Sequence, residues 1–373
     1  MNKRIFFLIA VMIVASIAVA TFWNSKSSIK RPQEPTKLFS YHSEDVRFQN
    51  RTANITLAGT LTLPTTSGNY PVVILISGQG PQNRDEEVYG HKPFLVISDY
   101  LTKKGIAVLR FDDRGTGQSS GDFISATSLD FATDVESAVA YLKSRTEINK
   151  NKIGLIGHSE GGLIAPIVAA KSQDVAFIVL LAGMGLPGDK LMLLHEELIE
   201  RSMGIPEAEI QKSKTFITAM SKLLPKSNDP QIFKEGLTQY TAENFEEMPT
   251  FMKPPEMTKE EYISAQIDMF SSPWWQFIIR YDPATSLEKV NCPVLALNGV
   301  NDLQVPPKEN LAAISNALIN GNNENVTIKE LPNLNHFFQE SETGSPAEYA
   351  VIEQTFSPVA LAEISNWILK QVK

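Results

Sequence analysis

The sequence contains almost no cysteine, since Cys292 is the only one among 373 residues. A single cysteine cannot form an internal disulfide. It also excludes a cysteine-rich metal site and a lipid anchor, which would need a cysteine near the N-terminus. Cys292 precedes Pro293 and an apolar run. We interpret it as a structural residue at the entrance of a strand, with a role as nucleophile as the alternative.

The sequence also lacks a basic stripe, an internal repeat and a phosphate-binding loop. Its formal net charge is -8, which makes nucleic acid a poor partner. The glycine-containing stretch Phe111–Gly117 has no Lys-Ser/Thr ending, so it is not a Walker loop. With 43% apolar residues the chain can bury a large core, as one domain or as one domain with an insertion.

The first twenty residues have the pattern of a signal peptide. A positive start, Asn2-Lys3-Arg4, is followed by an apolar stretch from Ile5 to Ala20, which ends in the small-x-small pattern of a cleavage site. An uncleaved membrane anchor over residues 5–23 is the alternative. Either way we expect the folded part to be exported, to the periplasm or the outside. Residues 21–40, with several serines and prolines, are predicted to be a linker.

Short apolar runs predict the strands of the folded part. Residues 41–63 alternate between apolar and polar side chains in two stretches, which favours an antiparallel hairpin. The later runs are nearly continuous and rich in β-branched residues, as in strands buried on both faces of a parallel sheet. These runs are Val72–Ile76, Ile106–Leu109, Ile153–Ile156, Ala176–Leu181, Val294–Leu297 and Val326–Ile328.

Helical patterns between these runs predict a doubly wound α/β fold. One predicted helix carries Phe131, Val135 and Leu142 on one face, with Ser128 as its cap. The alternation stops at residues 186–280, where only helices are predicted. We therefore divide the chain into a core, 41–185 and 281–373, and a helical cap, 186–280. Eight of the ten methionines lie in the cap or at its edge. They indicate either an apolar pocket that adapts to acyl groups of different shape or ordinary helix packing.

The cap carries three signals for helix starts. Pro206 and Pro273 are placed as first-turn prolines. Thr258 and Glu261 have the spacing of a capping box.

A serine flanked by glycines follows the third of these runs directly. The sequence there is Gly157-His158-Ser159-Glu160-Gly161, and a predicted helix begins at once. Strand, G-x-S-x-G and helix together are the context of a nucleophile elbow. A side chain at either outer glycine would crowd this sharp turn. The turn exposes the Ser159 hydroxyl and directs the Glu160 N–H toward a developing oxyanion. A tight turn with an inert serine is the alternative.

A serine nucleophile needs a base and an orienting acid. His336 follows the last predicted strand, and Asp302 leaves another strand by a turn, so both are expected at the carboxyl edge of the sheet. The order Ser159, Asp302, His336 along the chain is the one that this fold requires. We expect His91 to lie on the surface and His158 to be structural, while His42 precedes the first strand and His195 packs on a cap helix.

The loop Ser77–Pro81 is predicted to complete the oxyanion hole. It follows the strand Val72–Ile76, and its glycines allow the backbone to approach a substrate closely. We assign the donor to the N–H of Gln79, with Gly80 as second choice. Arg84 and Asp85, just beyond, either fix this loop by an ion pair or are solvated.

The elbow, the loop Ser77–Asp85, the stretch Asp112–Ser119, the Asp302 turn and the His336 loop together resemble the α/β-hydrolase superfamily. Within it, residues 41–373 look like bacterial carboxylesterases and serine-aminopeptidase-like hydrolases. The chain departs from lipases with an H-G-G-G loop, since Ser77-Gly78 stands there. The resemblance implies acyl-transfer hydrolysis without a cofactor or metal.

These observations predict a serine hydrolase that cleaves small carboxylic esters through an acyl-enzyme, with Ser159, Asp302 and His336 as catalytic residues and Gln79 and Glu160 as oxyanion donors. An aminopeptidase is the first alternative, since Glu196, Glu197 and Glu200 could hold a substrate ammonium, although a charged helix face also explains them. A thioesterase is the second alternative, and an inactive binding module the third. We predict membrane association only if residues 5–23 stay uncleaved.

Overall fold

The computed structural model describes residues 29–36, 39–223, 230–253 and 257–373. The predicted signal segment, 1–20, and part of the predicted linker lie outside the described residues. By the contacts between its residues the chain divides into two compact units. In the described part, the larger unit comprises Ile29–Leu186, Asp282–Gly344 and Tyr349–Lys373. The smaller unit comprises Pro187–Tyr281 and Ser345–Glu348.

Among the described residues, the larger unit contains one sheet of eight strands in the order β1-β2-β4-β3-β5-β6-β7-β8. Strand β2 pairs antiparallel with β1 and with β4, and all the other pairs are parallel. The predicted hairpin and the predicted parallel sheet are confirmed. The strands are His42–Asn50 (β1), Ile55–Leu63 (β2), Tyr70–Ile76 (β3), Ala107–Phe111 (β4), Ile148–His158 (β5), Phe177–Leu181 (β6), Val294–Gly299 (β7) and Val326–Leu331 (β8).

Helices cover the sheet because its central strands are apolar on both faces. Every residue of β4, β6 and β7 is buried. A large apolar core joins these strands to the first and last helices of the unit. The helices of this unit are Pro93–Lys103 (α1), Ser128–Ser144 (α2), Gly161–Ala169 (α3), Ala284–Leu287 (α9), Pro307–Asn320 (α10) and Pro358–Gln371 (α12), and a short helix, Pro346–Tyr349 (α11), spans the last boundary between the units.

The smaller unit is helical in its described part and has its own apolar core, which includes Met220, Met248 and Met269. These methionines pack among aromatic and aliphatic side chains, so ordinary helix packing accounts for them. Its elements are Gly188–Ser202 (α4), Glu207–Leu223 (α5), Pro230–Glu243 (α6), Lys259–Phe270 (α7) and Pro273–Arg280 (α8), with a 3-10 turn at Thr250–Met252. No described helix in either unit has both the length and the apolar character needed to cross a bilayer.

Helix starts follow the predicted chemistry with two exceptions. The capping box is present, with the Glu261 N–H donating to Thr258 Oγ1 and the Thr258 N–H to Glu261 Oε2. Pro273 occupies the first turn of α8 as predicted. Pro206 instead precedes α5, whose first residue is Glu207. The prediction that Ser128 caps α2 is also wrong, because the cap is the preceding Thr127 and the Ser128 hydroxyl donates instead to Glu160 Oε1 at 2.6 Å.

Candidate active site

Ser159 lies on a strained turn between β5 and α3. Its φ is +52°, in the left-handed region that residues with a side chain rarely adopt. The turn is held in place because the Ser159 N–H donates to the carbonyl oxygen of Leu181 on β6, at 2.8 Å. Ser159 is partly exposed, whereas His158 and Glu160 on either side are buried. The turn therefore presents one side chain and hides its two neighbours.

The glycines of this turn are required by close approaches of the backbone. A Cβ atom at Gly157 would lie 1.9 Å from the carbonyl oxygen of Gly161. A Cβ atom at Gly161 would lie 2.1 Å from the carbonyl oxygen of Ile76. Both distances are far below contact, so any side chain at these positions would push β5, α3 and the end of β3 apart, as the sequence pattern predicts.

Asp302 and His336 are brought together at the carboxyl edge of the sheet. Asp302 Oδ2 lies 2.9 Å from His336 Nδ1, and both side chains are buried. The other oxygen of Asp302 accepts the N–H groups of Gln304 and Val305, which orients the carboxylate. A carboxylate accepts the Nδ1 proton, so the Nε2 lone pair of His336 is available as a base.

The loop that carries His336 is fixed against the end of β7. The Asn301 N–H donates to the carbonyl oxygen of Leu334 at 2.9 Å. A Cβ atom at Gly299 would lie 2.1 Å from that same oxygen, so only glycine permits this approach. The requirement for Gly299 is not visible in the sequence, since it depends on which loop packs beside β7.

The predicted oxyanion loop lies beside Ser159. A Cβ atom at Gly78 would be 3.3 Å from Ser159 Cβ. The loop is tied down by Asp113, which accepts the Ser77 hydroxyl at 2.7 Å and the Gln82 N–H at 2.9 Å. Desolvation raises the pKa of Asp113 well above its usual range; these two hydrogen bonds lower the pKa, and nearby Glu160 and Glu86 raise it further.

Arg84 and Asp85 form ion pairs with partners outside their own loop. Arg84 makes a two-pronged contact with Asp112, at 3.0 Å from Nε and 2.8 Å from Nη2. Asp85 pairs with Arg110 on β4. The ion-pair alternative is therefore confirmed over solvation, and the pairs attach this segment to β4 and to the loop that follows it.

Two other histidines, His91 and His158, are also buried. The prediction that His91 lies on the surface is wrong: it is 2% exposed, and its ring nitrogens lie 3.0 Å from Thr355 Oγ1 and 2.9 Å from the carbonyl oxygen of Tyr349. Burial lowers the pKa of His91 to about 4, so its ring is neutral. His158 is buried between Glu86 and the backbone of His336. Sequence reasoning missed Glu86.

The acidic residues of the smaller unit differ in their surroundings. Glu197 pairs with Lys214 and Arg201 on a charged surface, as the simpler interpretation predicts. Glu196 and Glu200 are buried, so a charged helix face does not describe them. Burial raises the pKa of Glu196 to about 8 and that of Glu200 to about 7.

Two further candidate sources of chemistry are the thiol of Cys292 and clusters of metal ligands. Burial raises the pKa of the Cys292 thiol to about 11, so the thiol stays protonated near neutral pH, which disfavours a role as nucleophile. Across the described ranges, histidine, cysteine and acidic side chains do not gather in any group of three that could hold a metal ion.

Comparisons with known proteins find likenesses to a peptidase family and to an esterase. A family model described as "Serine aminopeptidase, S33" matches residues 93–253, which include Ser159 but not Asp302 or His336. Esterase EstD from Thermotoga maritima is 24% identical over 315 residues, 84% of this chain. The match covers 66% of EstD, just under two thirds of its length.

Solved structures share the fold at low identity. An esterase from Pyrococcus furiosus aligns with a TM-score of 0.54 and 16% identity, covering 94% of this chain and all of the other. A hypothetical protein from Pseudomonas aeruginosa aligns with a TM-score of 0.53 and 16% identity, covering 93% and 98% of the two chains. The sheet order, the strained serine turn and these likenesses show that the chain has the α/β-hydrolase fold, and in sequence it resembles an esterase over most of its length.

Proposed function

We propose that the chain hydrolyses carboxylic esters of small molecules, with Ser159 as nucleophile, His336 as base and Asp302 as the acid that orients His336. The observation that carries the proposal is the hydrogen bond between Asp302 and His336 at the sheet edge that also bears the strained Ser159. The likeness to an esterase over most of the chain supports the choice of substrate class.

In this mechanism the proton of the Ser159 hydroxyl moves to His336 Nε2 as Ser159 Oγ attacks the ester carbonyl carbon. The N–H groups of Gln79 and Glu160 stabilise the negative charge that develops on the carbonyl oxygen. The protonated His336 then donates to the leaving alcohol, and an acyl-enzyme remains. Water that gives a proton to His336 attacks the acyl carbon, and His336 returns this proton to Ser159 Oγ as the acyl–oxygen bond breaks and the acid leaves.

Replacement of the nucleophile tests the proposal directly. We expect Ser159→Ala to lower kcat on p-nitrophenyl butyrate by at least about 10⁴-fold, because the triad members act as a unit. Ser67→Ala, at an exposed serine in the turn before β3, is the matched control and should keep the activity of the parent. Equal rates in Ser159→Ala and the parent would reject the proposed role of Ser159.

The name of the matching family makes an aminopeptidase the second candidate. Such an enzyme must hold a substrate ammonium, which needs an ionised carboxylate. The pKa values of Glu196 and Glu200, about 8 and about 7, leave both carboxyls largely or partly protonated at neutral pH. Ester cleavage is the better supported proposal, because the likeness to an esterase extends over 84% of this chain. Assay of an aminoacyl p-nitroanilide beside the butyrate ester separates the two, since an aminopeptidase prefers the first.

A further inference from the structure

Glu86 is a buried acid in an unusual backbone conformation. It is 2% exposed, and its φ is +50°, in the left-handed region. A non-glycine residue in this conformation is strained, and such strain persists only where the surrounding structure maintains it. Glu86 belongs to the segment between the oxyanion loop and α1, and it has no part in the triad.

One carboxylate oxygen of Glu86 holds the oxyanion loop. The Gly78 N–H donates to Glu86 Oε1 at 2.7 Å. Gly78 lies beside Ser159, since a Cβ atom on it would be 3.3 Å from Ser159 Cβ, and Gln79 follows it immediately. Glu86 thereby holds the peptide between Ser77 and Gly78, which adjoins the peptide that carries the Gln79 N–H.

The same oxygen also holds the loop that carries the base. His158 Nδ1 lies 2.9 Å from Glu86 Oε1, and His158 Nε2 lies 3.0 Å from the carbonyl oxygen of His336. A carbonyl oxygen only accepts hydrogen bonds, so His158 Nε2 carries a proton and donates it. The ring of His158 lies 4.9 Å from that of His336, between the elbow and the base loop.

Charge at His158 depends on Glu86. Desolvation lowers the pKa of His158, but the charge and hydrogen bond of Glu86, the His336 carbonyl and the charge of Asp302 together raise it above its ordinary value. Both ring nitrogens can then donate at once, one to each loop. Without the carboxylate, a neutral ring keeps a proton on only one nitrogen and loses one of the two hydrogen bonds.

We propose that Glu86 is a positioning residue for ester cleavage, which fixes the oxyanion loop through Gly78 and the His336 loop through His158. The inference rests on the proposed function. Its consequence is that Glu86 affects the rate of the chemical step and not the binding of the ester, because it orients groups that act on the transition state.

Kinetics of two Glu86 variants test the inference. We expect Glu86→Ala to lower kcat on p-nitrophenyl butyrate by about 30- to 100-fold, with KM changed by less than about 3-fold. Glu86→Gln keeps an oxygen acceptor for the Gly78 N–H, so it should restore part of the lost kcat. All kcat values are taken per site titrated with a fluorophosphonate, so that misfolded molecules do not count.

Asp134→Asn is the matched control. Asp134 is equally buried and ion-paired, to Arg114 at 2.7 Å, but it forms no hydrogen bond to either loop. It should lower the thermal stability while leaving kcat per titrated site at the value of the parent. If Glu86→Ala yields no titratable sites, the test depends on Glu86→Gln. A kcat per site below that of the parent supports the inference, and the kcat of the parent overturns it.

The outcomes separate this inference from the proposed function. If the parent hydrolyses the ester and Ser159→Ala does not, the proposed function stands; Glu86 variants with the kcat of the parent per site then overturn the inference alone. A loss that appears wholly in KM also overturns it. If the parent does not hydrolyse the ester, both fail together.

Discussion

At the scale of single residues, the proposed role of a histidine depends on its hydrogen-bond partners and not on its residue type alone. The chain has five histidines, and two of them lie buried and side by side at one edge of the sheet, His158 and His336. Their partners differ: His336 contacts a carboxylate through Nδ1, whereas both nitrogens of His158 are occupied by Glu86 and a backbone carbonyl. Only His336 keeps a ring nitrogen available for Ser159 in our assignment.

We expect Asp302→Asn to lower kcat on p-nitrophenyl butyrate by about 10³- to 10⁴-fold, because an amide that donates to His336 Nδ1 leaves the proton on the wrong nitrogen. Steady-state kinetics at pH 7 measure the loss. Asn301→Ala, at the neighbouring position, tests whether disturbing the turn is enough, since its side chain bonds only to the backbone of residues 341 and 342. A loss in Asn301→Ala as large as that in Asp302→Asn would contradict the proposed role of Asp302.

At the scale of elements, the strand-turn-helix unit around Ser159 combines local pattern with distant support. The glycines at 157 and 161 are visible in the sequence, and each makes a backbone contact too close for a side chain. The N–H of Ser159 donates to Leu181 of β6, which lies 22 residues further along the chain. The turn is therefore stable only when β5 and β6 pair.

The capping box at the start of α7 gives a prediction for one element. We expect Thr258→Ala to lower the free energy of unfolding by about 1 kcal/mol, since the Glu261 N–H loses its acceptor. Urea denaturation followed by circular dichroism measures the change. Thr215→Ala, in the exposed middle of α5, is the control and should be neutral or slightly stabilising, because alanine favours helix interiors. Equal effects of the two variants would argue against the cap.

At the scale of the whole molecule, buried acids link stability to pH. Glu196 and Glu200 have pKa values raised by burial from 4.5 to about 8 and about 7. Between pH 4.5 and 8 the folded chain therefore holds more protons on these groups than the unfolded chain. The contribution of these two groups to the free energy of unfolding therefore decreases as the pH rises through this window, whereas His91, whose pKa is lowered to about 4, contributes with the opposite sign below pH 6.5.

We expect the melting temperature of the parent to fall between pH 5 and pH 8.5, and the fall to shrink by on the order of 3 °C in Glu196→Gln, which stays neutral. Calorimetry across this range measures it. The pKa of His158 is also raised, which gives a decrease of the same sign, so the difference between parent and variant is the relevant quantity. Glu197→Gln, at a partly exposed ion pair, should keep most of the decrease, because the pKa of Glu196 is raised by burial and by Glu200. An unchanged decrease in Glu196→Gln would show that Glu196 ionises normally.

The sequence by itself determined the succession of strands and helices along the chain, the hairpin and the serine turn, and it made Asp302 and His336 candidates. It could do so because apolar periodicity, glycine spacing and position after a strand are local signals. The tertiary structure decided the burial of His91, the requirement for Gly299 and the contacts of Glu86. Each of these depends on contacts with residues distant along the chain: Glu86 and His158 are 72 residues apart, and His91 and Thr355 are 264 apart. Local patterns carry no information about such pairs, because which loops meet at the sheet edge is set only when all eight strands have paired.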